Sequence, residues 1–539
     1  MRIVLANWAR VSEGASSGGG VNGYAQQLAM ELAGRGHEVC WLSSGWAYVP
    51  EPATGLPAAC KVRRMEDFRG IRVFEVVNSP VVAPGIFQHR DPLGELASPE
   101  LEAEVGRFFQ LLEPDVVHFH NIEGFTPGCL EAARGGGGSG GWRGARVVFS
   151  LHNYFTVCPQ VYLMKKGRVA CGDFEGGAAC AGCIEGPDPE GERRERARWH
   201  MKNLVLPKAT VSLGTRVLRV LLPEKPGPMP PPPYPGRGVE AFTDLAPDRE
   251  RRRGEETRPS AAAMRGETTA EERVPLSNDV RAEPGGEVNE FGRRRREMVA
   301  MLSRCDRVLA VSEFVKRKFE AMGVDAKVMR AMAIGSRMTE MASAWPELRD
   351  ERESFERGRP VRAVFMGYHN YFKGLPMLLD SLELMKPQEL KRLHLYVFAK
   401  DVELIAARLE KLRGALGGLT VRGGYSYDEV PMLLCGKDVG LVPSVWWDNG
   451  PQTVMEFFAC GLPVVGAELG GIPDLVKHGR NGLLFRGNDR EDLARTLGEL
   501  VCNPGRIAEL RREVQSPLSM GAHAAAMELV YKECLMGQG

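Results

Sequence analysis

Short runs of apolar residues alternate along the chain with longer stretches in which apolar residues recur every three or four positions. In the first part of the chain the apolar runs lie at 2–7, 37–43, 71–77, 115–121, 145–153 and 306–313. Runs that are apolar at almost every position are typical of parallel strands covered by helices on both faces. Between the first two runs, Tyr24, Leu28 and Leu32 share one helical face, and glycines follow. This part of the chain therefore predicts β-α-β units.

A second series of apolar runs lies at 361–367, 393–399, 438–444 and 462–468. Two such series predict an α/β protein with two doubly wound, Rossmann-like domains that face a cleft at the carboxyl ends of their strands. We assign an N-terminal domain to 1–222 and 296–345, an insertion to 223–295, a C-terminal domain to 346–515, and a final helix that returns to the N-terminal domain to 516–539.

The insertion at 223–295 differs in composition from both domains. It begins with the proline-rich stretch PEKPGPMPPPPYPGRG and continues as a charged, Ala- and Gly-rich stretch with few large apolar residues. Such a segment buries too little apolar surface to offset the entropy of folding. We therefore expect it to be disordered.

The overall composition excludes several classes of partner. The 539 residues include 70 Lys and Arg against 69 Asp and Glu, so no net field draws the chain to nucleic acid. The opening MRIVLANWAR turns polar too early for a signal peptide, and no apolar stretch approaches the ~18 residues of a membrane span. We expect a cytoplasmic protein whose 12 cysteines are thiols or metal ligands rather than disulfides.

Gly18, Gly20 and Gly23 have the G-x-G-x-x-G spacing of a dinucleotide-binding loop. The loop begins too far beyond its strand for that role, and the second strand ends at Ser43 rather than in the acid that holds a ribose. We interpret the segment as a glycine-rich loop that leads into a helix N-terminus, where free N–H groups suit a phosphate or a sugar hydroxyl. A flexible turn is the alternative.

The stretch SVWWDNGPQTVMEFFACG places two carboxylates around a predicted helix start. Pro451 suits the first helical position and Gly461 the end, so Asp448 lies in the preceding loop and Glu456 in the second turn. Free N–H groups near 449–453 suit an anion, and a carboxylate accepts both hydrogen bonds of a diol. A nucleotide sugar offers both groups. Alternatively, Glu456 only complements the helix dipole and Asp448 is an ordinary turn residue.

Lys373 follows the strand at 361–367 and precedes a predicted helix, so it lies at the edge of the second sheet that faces the cleft. A lysine there suits a diphosphate group. A solvated surface lysine is the alternative.

Together these segments resemble glycosyltransferase family four, the retaining nucleotide-sugar transferases of the GT-B fold. The motifs occur in family order as GGGVNGYAQQLAMELAGRGHEV, DVVHFHN, FSLHNYFTVCPQ, VLAVSEFV, MGYHNYFKG, VPSVWWDNGPQTVMEFFACGLPVVGAELGGIPDLV and NGLLF. The resemblance implies that Glu456 binds the nucleotide ribose and Asp448 the hydroxyls of the donor sugar. Lys373 would neutralise the diphosphate, and His152 would lie beside the transferred sugar.

The resemblance also implies a wider donor site. Gly19 and Gly20 would close over the donor phosphates or the acceptor. The remaining implied donor-binding positions are Gly367, Gly450, Pro451, Gln452 and Thr453. Retention in this family is usually explained without a covalent intermediate, with a phosphate oxygen of the leaving group taking the proton of the acceptor. No metal or other cofactor is then required for catalysis.

Three positions depart from the family pattern. Asp448 stands where the family usually has glutamate, Tyr368 where it has arginine, and Asn153 where it has aspartate. The missing arginine removes one of two cations from the leaving group. One alternative is therefore a nucleotide-sugar-binding protein that has lost catalysis. A nucleotide-sugar epimerase of the same fold and an NAD-dependent oxidoreductase are further alternatives.

The acceptor is inferred by analogy with the family alone. We expect a hexosyltransferase of surface polysaccharide synthesis that acts on a saccharide or a lipid-linked acceptor. Such an acceptor predicts a location at the inner face of the membrane, with peripheral contact to it.

Two groups have the residue types of metal ligands. One consists of four cysteines with a CAGC spacing suited to a structural zinc site, for which buried free thiols are the alternative: Cys158, Cys171, Cys180 and Cys183. Similar cysteines recur in relatives of this subgroup. The other group is His118 and His120, which project to one side of a strand end. The family has this pair without a metal.

Overall fold

The computed structural model describes residues 1–49, 58–85, 91–135, 142–166, 169–172, 175–184, 190–194, 196–197, 289–345, 358–368, 371–400 and 402–537. They form two α/β domains, each built on a sheet of mainly parallel strands. Of the predicted insertion, residues 223–288 lie outside the described residues. Its last seven residues, 289–295, are not part of a disordered segment, because Asn289 caps a helix that packs on the N-terminal domain.

The strands of the N-terminal domain are β1 Arg2–Asn7, β2 Glu38–Ala47, β3 Lys61–Arg64, β4 Arg72–Val77, β5 Val116–Phe119, β6 Arg146–Leu151, β7 Met164–Lys165, β8 Val169–Ala170, β9 Arg307–Ala310 and β10 Met329–Ala331. Eight of them form one sheet in the order β10-β9-β6-β5-β1-β2-β4-β3, and β7 pairs with β8 as a separate hairpin. Within the eight-stranded sheet, β3 pairs with β4 in antiparallel orientation and the other described pairs are parallel.

The helices of this domain are α1 Ala15–Gly34, α2 Pro99–Leu112, α3 Pro127–Ala133, α4 Ala178–Ala181, α5 Glu290–Ser303, α6 Glu313–Ala321 and α7 Arg337–Ser343. Helix α1 packs its predicted face against the sheet, because Tyr24, Leu28 and Leu32 are buried. The glycine-rich segment is not a simple loop. It is helical from Ala15 and is broken at Gly19, whose φ of 60° favours glycine.

The C-terminal domain contains the strands β11 Val361–Tyr368, β12 Leu393–Lys400, β13 Gly418–Gly423, β14 Val439–Val442, β15 Val464–Ala467 and β16 Gly482–Phe485. They form one parallel sheet in the order β13-β12-β11-β14-β15-β16. Its helices are α8 Leu375–Leu382, α9 Pro387–Leu390, α10 Ala406–Arg413, α11 Val430–Leu434, α12 Gln452–Ala459, α13 Ile472–Leu475, α14 Arg490–Cys502 and α15 Gly505–Arg512. The predicted pair of doubly wound α/β domains is confirmed.

Each sheet changes its direction of growth at its first strand. Strand β1 lies between β2 and β5, and β11 lies between β12 and β14. Loops that leave the carboxyl ends of such strand pairs diverge and form a crevice. The glycine-rich segment and the His118–His120 pair belong to the first crevice, and Lys373 and Asp448 to the second.

The last helix, α16 Met520–Met536, lies against the N-terminal domain. Its His523 Nε2 is 2.7 Å from the hydroxyl of Tyr24, and the hydroxyl of Tyr531 is 2.8 Å from His118 Nδ1. The chain thus crosses back to the first domain after completing the second. Among the described residues, no helix combines the length and the apolar character that a membrane span requires.

Candidate functional site

A loop of four residues after β14, Trp446 to Asn449, contains the first predicted carboxylate; we call it the WWDN loop. Oδ2 of Asp448 lies 3.2 Å from Nζ of Lys373, which follows β11. Ser444 also contacts this oxygen, at 3.5 Å. The structure therefore brings Asp448 and Lys373 together at the switch point of the C-terminal sheet, with Asp448 5% exposed.

Glu456 lies in the second turn of α12, buried inside the domain. Burial raises the pKa of its carboxyl to about 7, and the positive charge of Lys373 partly opposes this rise. The predicted helix start is wrong by one residue. Pro451 has a ψ of 111°, which is extended, so it precedes the helix as its N-cap and Gln452 is the first helical residue. Gly461 follows the helix with a φ of 67°.

A turn of two glycines, Gly470 and Gly471 before α13, packs against the WWDN loop. A Cβ atom on Gly471 would lie 2.3 Å from the carbonyl oxygen of Asn449, and one on Gly470 would lie 2.6 Å from the backbone nitrogen of Asp448. The N–H of Gly471 donates to the carbonyl of Asp448 at 2.6 Å. Only glycine permits this approach, so the turn helps to set the backbone position of Asp448.

Polar atoms without a partner are concentrated in the WWDN loop. The indole nitrogens of Trp446 and Trp447 and both side-chain amide atoms of Asn449 are buried, and none has a hydrogen-bond partner among the described residues. Buried polar groups in native proteins are nearly always paired, with protein, water or a ligand. The loop therefore has unused hydrogen-bonding capacity next to Asp448. The sequence pattern does not mark Trp446, Trp447 or Asn449 as site residues.

The glycine-rich segment approaches the start of α12 from the opposite domain. Nε2 of Gln452 donates to the carbonyl of Gly20 at 3.1 Å, and a Cβ on Gly20 would lie 2.7 Å from Oε1 of the same glutamine. The remaining predicted donor positions lie nearby at the ends of β11 and α12 and are half-buried: Gly367, Gly450 and Thr453. Gly19 has no atom within 4 Å of its potential Cβ. Gly20 thus contacts the helix end predicted to bind the donor.

A chain of buried amides holds the glycine-rich segment in place. Asn121 donates to Asn7 at 2.5 Å, Asn7 donates to Asn22 at 2.8 Å, and Asn22 donates to the carbonyl of Gly14 at 2.6 Å. The chain links β1, the loop after β5 and helix α1. Asn22 lies within the GGGVNGY motif but was not singled out from the sequence, because a buried amide has no periodic signal.

His152 belongs to a group of four buried or half-buried imidazoles. Its Nε2 lies 3.2 Å from Nδ1 of His120, and burial together with His523 lowers the pKa of His152 to about 3. His152 is therefore neutral at physiological pH. Nε2 of His120 is buried and has no partner among the described residues. The arrangement that leaves no buried N–H unpaired puts the proton of His120 on Nδ1 and that of His152 on its own Nδ1.

Asn153 has a specific partner on the neighbouring loop. Its Nδ2 donates to Glu123 at 3.1 Å, and its Oδ1 accepts from the N–H of Phe155 at 3.0 Å. Burial raises the pKa of Glu123 to about 7. An aspartate at position 153 would place a second carboxylate against Glu123, so the amide suits this neighbourhood. Tyr368 also departs from the family pattern, and its side chain lies outside the described part of the chain.

The loops of the two domains touch beside these residues. The hydroxyl of Tyr154 donates to the carbonyl of Trp447 at 2.9 Å. Tyr154 is two residues after His152, and Trp447 is adjacent to Asp448. The structure therefore places the predicted catalytic residues of both domains in adjoining loops.

The predicted metal ligands have other surroundings. Burial raises the pKa of Cys171 and Cys180 to about 12, and the nearby sulfurs of the other cysteines add to both rises. Cys183 accepts hydrogen bonds from Gln160 and from the N–H of Lys166. Within the described ranges, no three His, Cys, Asp or Glu side chains are arranged to hold a metal ion. Zinc binding by the four cysteines stays a prediction.

The predicted histidine pair has protein partners instead. His118 is bonded through both nitrogens, to Tyr531 and to Ser150, each at 2.8 Å. Its ring centroid is 4.2 Å from that of His120. Both imidazoles are fully buried, and burial lowers their pKa values well below the usual range. The pair therefore packs and positions neighbouring side chains.

Comparison with known families agrees with this geometry. Residues 18–170 match the family Glycosyltransferase Family 4, and residues 360–503 match the family Glycosyl transferases group 1. The resemblance to glycosyltransferase family four is therefore confirmed over these two ranges. The matched ranges contain both halves of the site, including His152 in the first and Lys373, Asp448 and Glu456 in the second.

Individual relatives of the chain are distant. A D-inositol 3-phosphate glycosyltransferase of Streptomyces bingchenggensis is 32% identical over 136 residues, which are 24% of this chain and 30% of that protein. Anabaena HepE, solved in complex with UDP, is 14% identical with a TM-score of 0.53, covering 99% of this chain and 100% of HepE. Sucrose-phosphate synthase from Thermosynechococcus elongatus is 14% identical with a TM-score of 0.54 over 100% of both chains. These structures confirm the expected GT-B fold.

Proposed function

We propose that the protein transfers a hexosyl unit from a nucleotide-sugar donor to a hydroxyl group of a saccharide or lipid-linked acceptor, with retention of configuration. The observation that supports the proposal is the placement of Lys373 and Asp448, 3.2 Å apart, beside the buried Glu456 at the switch point of the C-terminal sheet. The UDP complex of HepE and the name of the inositol phosphate glycosyltransferase support the same class of donor and reaction.

The donor would lie along the start of α12. Glu456 would accept hydrogen bonds from the two ribose hydroxyls, which a single carboxylate accommodates. The free N–H groups at the start of α12 and the ammonium of Lys373 would receive the diphosphate, because both supply positive charge to an anion. Asp448 would accept from hydroxyls of the sugar, next to the unpaired amide of Asn449.

The transfer step requires no proton-accepting side chain. The acceptor oxygen attacks the anomeric carbon on the face from which the diphosphate leaves, and the bond from that carbon to the phosphate oxygen breaks. The departing phosphate oxygen takes the proton of the acceptor, so the products are the glycoside and the nucleoside diphosphate. Lys373 and the α12 N-terminus stabilise the negative charge that develops on the leaving group.

His152 fits this step as a neutral hydrogen-bonding group. A pKa of about 3 keeps the imidazole uncharged, so it contributes orientation and not positive charge. Glu123, which accepts a hydrogen bond from the adjacent Asn153, is a buried acid on the N-terminal side, where the acceptor would enter. The nucleotide base and the donor sugar are not specified by these contacts.

Thermal unfolding with a panel of UDP-, GDP- and ADP-sugars tests the proposal. A ligand present at 100 times its dissociation constant adds about 2.7 kcal/mol to the free energy of unfolding. We expect one nucleotide class to raise the melting temperature, and Glu456→Gln to reduce that rise. If no member of the panel binds, the proposed function is wrong.

A catalytically impaired nucleotide-sugar-binding protein is the second candidate, and the tyrosine at position 368 favours it because a cation is missing there. Binding without release of nucleoside diphosphate would identify that case. Cytoplasmic location and peripheral membrane contact remain predictions, which cell fractionation with and without a salt wash tests.

A further inference from the structure

Side chains of the N-terminal domain hold the backbone on both sides of Asp448. The hydroxyl of Tyr154 donates to the carbonyl of Trp447 at 2.9 Å, and the hydroxyl of Ser312 donates to the carbonyl of Asn449 at 2.6 Å. The carbonyl between them, that of Asp448, accepts from the N–H of Gly471 in its own domain. Of three successive carbonyls, the first and the third are therefore bound by the opposite domain.

A buried lysine of the same domain contacts the WWDN loop. Nζ of Lys318, on α6, lies 3.8 Å from the ring centroid of Trp447, and the lysine is 1% exposed. No carboxylate among the described residues forms an ion pair with it. Burial lowers the pKa of Lys318 to about 8, and the charge of Arg295 adds to the decrease. The indole face is thus the group that stabilises this ammonium.

Further contacts surround the same indole rings. The ring of Phe314 lies 6.1 Å from that of Trp447, and the N–H of Phe314 donates to Asp474 at 2.8 Å. Tyr162 of the N-terminal domain stacks on Phe372, the residue before Lys373, with centroids 4.3 Å apart. Both loops of the C-terminal domain that contain site residues are therefore in contact with the N-terminal domain.

We propose that Tyr154, Ser312 and Lys318 are positioning residues that hold Asp448 in place for sugar transfer. The inference rests on the proposed function and deepens it. Asp448 is one residue from each bound carbonyl, so loss of either contact allows its carboxylate to move relative to Lys373. Glu456 and the start of α12 belong to the C-terminal domain alone. Nucleotide binding therefore does not depend on these contacts, whereas placement of the sugar does.

The test uses the full chain with Tyr154→Phe, which removes only the donating hydroxyl, and Lys318→Met, which removes only the charge. Tyr48→Phe is the matched control for the first, because Tyr48 donates a similar buried bond to the carbonyl of Ser79 at 2.9 Å. Lys437→Met is the control for the second, because Lys437 lies over the ring of Tyr396 at 4.5 Å in the C-terminal domain.

Two measurements separate positioning from general destabilisation. With UDP and UDP-glucose as probes, we expect each site variant to lower kcat about tenfold while the dissociation constant of UDP changes less than about twofold. Lys318→Arg, which keeps a cation over the indole, should recover most of the kcat. Both controls should behave as the wild type. Equal kcat in the site variants and their controls would overturn the inference.

Amide hydrogen exchange gives a reading that needs no activity. We expect faster exchange in peptides covering the WWDN loop in Tyr154→Phe and Lys318→Met, and unchanged exchange there in Tyr48→Phe and Lys437→Met. Unchanged exchange in the site variants would contradict the inference even if UDP-glucose is not the donor. Failure of the wild type to bind any nucleotide sugar would instead count against the proposed function.

Discussion

Nζ of Lys373 lies 3.2 Å from Oδ2 of Asp448, although the two residues follow different strands, β11 and β14. The side chain of Lys373 is 30% exposed, and that of Asp448 is 7% exposed. A buried carboxylate that loses its cation is left with an unfavourable charge. The two side chains therefore act as a unit, in which the lysine both balances Asp448 and is held where a diphosphate would bind.

Replacing Lys373 and replacing Asp448 should have different effects. Lys373→Ala removes a cation from the diphosphate, so we expect the affinity for UDP and for UDP-sugars to fall by about 1.5–3 kcal/mol. Asp448→Asn keeps the shape and removes the charge, so we expect turnover to fall while UDP affinity is maintained. Calorimetric titration and product release measure the two quantities. Lys400→Ala, an exposed lysine at the end of β12, is the matched control; equal affinities in all three variants would contradict the site.

Much of the fold follows from the hydrophobic pattern. The runs at 2–7, 71–77 and 361–367 differ from the observed strands by at most one residue at either end, because buried parallel strands are apolar at almost every position. The hydrophobic pattern does not predict strands β3 and β13. Strand β3 reads KVRR at the sheet edge, and β13 reads GLTVRG with no fully buried residue, so neither has a continuous apolar run.

The site could be predicted only in part. Asp448, Glu456 and Lys373 stand next to turn and helix signals, so their position at the sheet edge follows from the sequence. The residues that hold them do not. Tyr154 and Lys318 act across the two domains, and the side chain of Lys318 has the sequence context of an ordinary helix residue. Only the packing of α6 on Trp447 shows its role.

The raised pKa of Glu456 predicts a pH dependence of donor binding. The folded-state pKa of about 7 is above the ordinary value of 4.5, so the associated stability is present below pH ~4.5 and is lost as the pH rises through about 7. The affinity for the donor changes with pH in the opposite direction, because the ionised carboxylate accepts hydrogen bonds from both ribose hydroxyls. We expect the affinity for UDP-glucose to fall by up to about tenfold per pH unit below 7.

Glu456→Gln is the control for this dependence, since the amide does not titrate. UDP-glucose is the suitable probe because each of its phosphates has one ester and one anhydride bond, and therefore keeps a single negative charge over this range. His152, with a pKa of about 3, does not titrate between pH 5 and 8. A wild-type affinity that is flat over this range, or a variant with the same slope as the wild type, would show that Glu456 does not contact the ribose.

The glycine turn beside the WWDN loop should not tolerate a side chain. In Gly471→Ala the new Cβ would lie 2.3 Å from the carbonyl oxygen of Asn449, which is backbone and has to move. We expect the substitution to lower the affinity for UDP-glucose more than the affinity for UDP, because the displaced segment contains Asp448. Gly414→Ala is the control, since no atom lies within 4 Å of its potential Cβ. If Gly471→Ala has the same ratio of UDP-glucose affinity to UDP affinity as the wild type, the turn does not position the loop.

The four-cysteine group yields a prediction about metal content. Protonated thiols with raised pKa values release their protons when a metal binds, so zinc affinity should increase with pH. If the four cysteines bind zinc, the purified protein should contain it, and a chelator should lower its melting temperature. Cys180→Ser combined with Cys183→Ser should abolish both effects, whereas Cys502→Ser, an exposed cysteine outside the group, should change neither.

Zinc loss should also affect the transfer site, because Tyr154 and Tyr162 lie in the same segment as Cys158. Loosening that segment would release Trp447 and Phe372 from their N-terminal partners. We therefore expect chelation to lower kcat more than it weakens UDP binding, as in Tyr154→Phe. Metal-free protein with unchanged stability and kcat would establish that the cysteines are buried thiols, and the contacts of Tyr154 would then depend on packing alone.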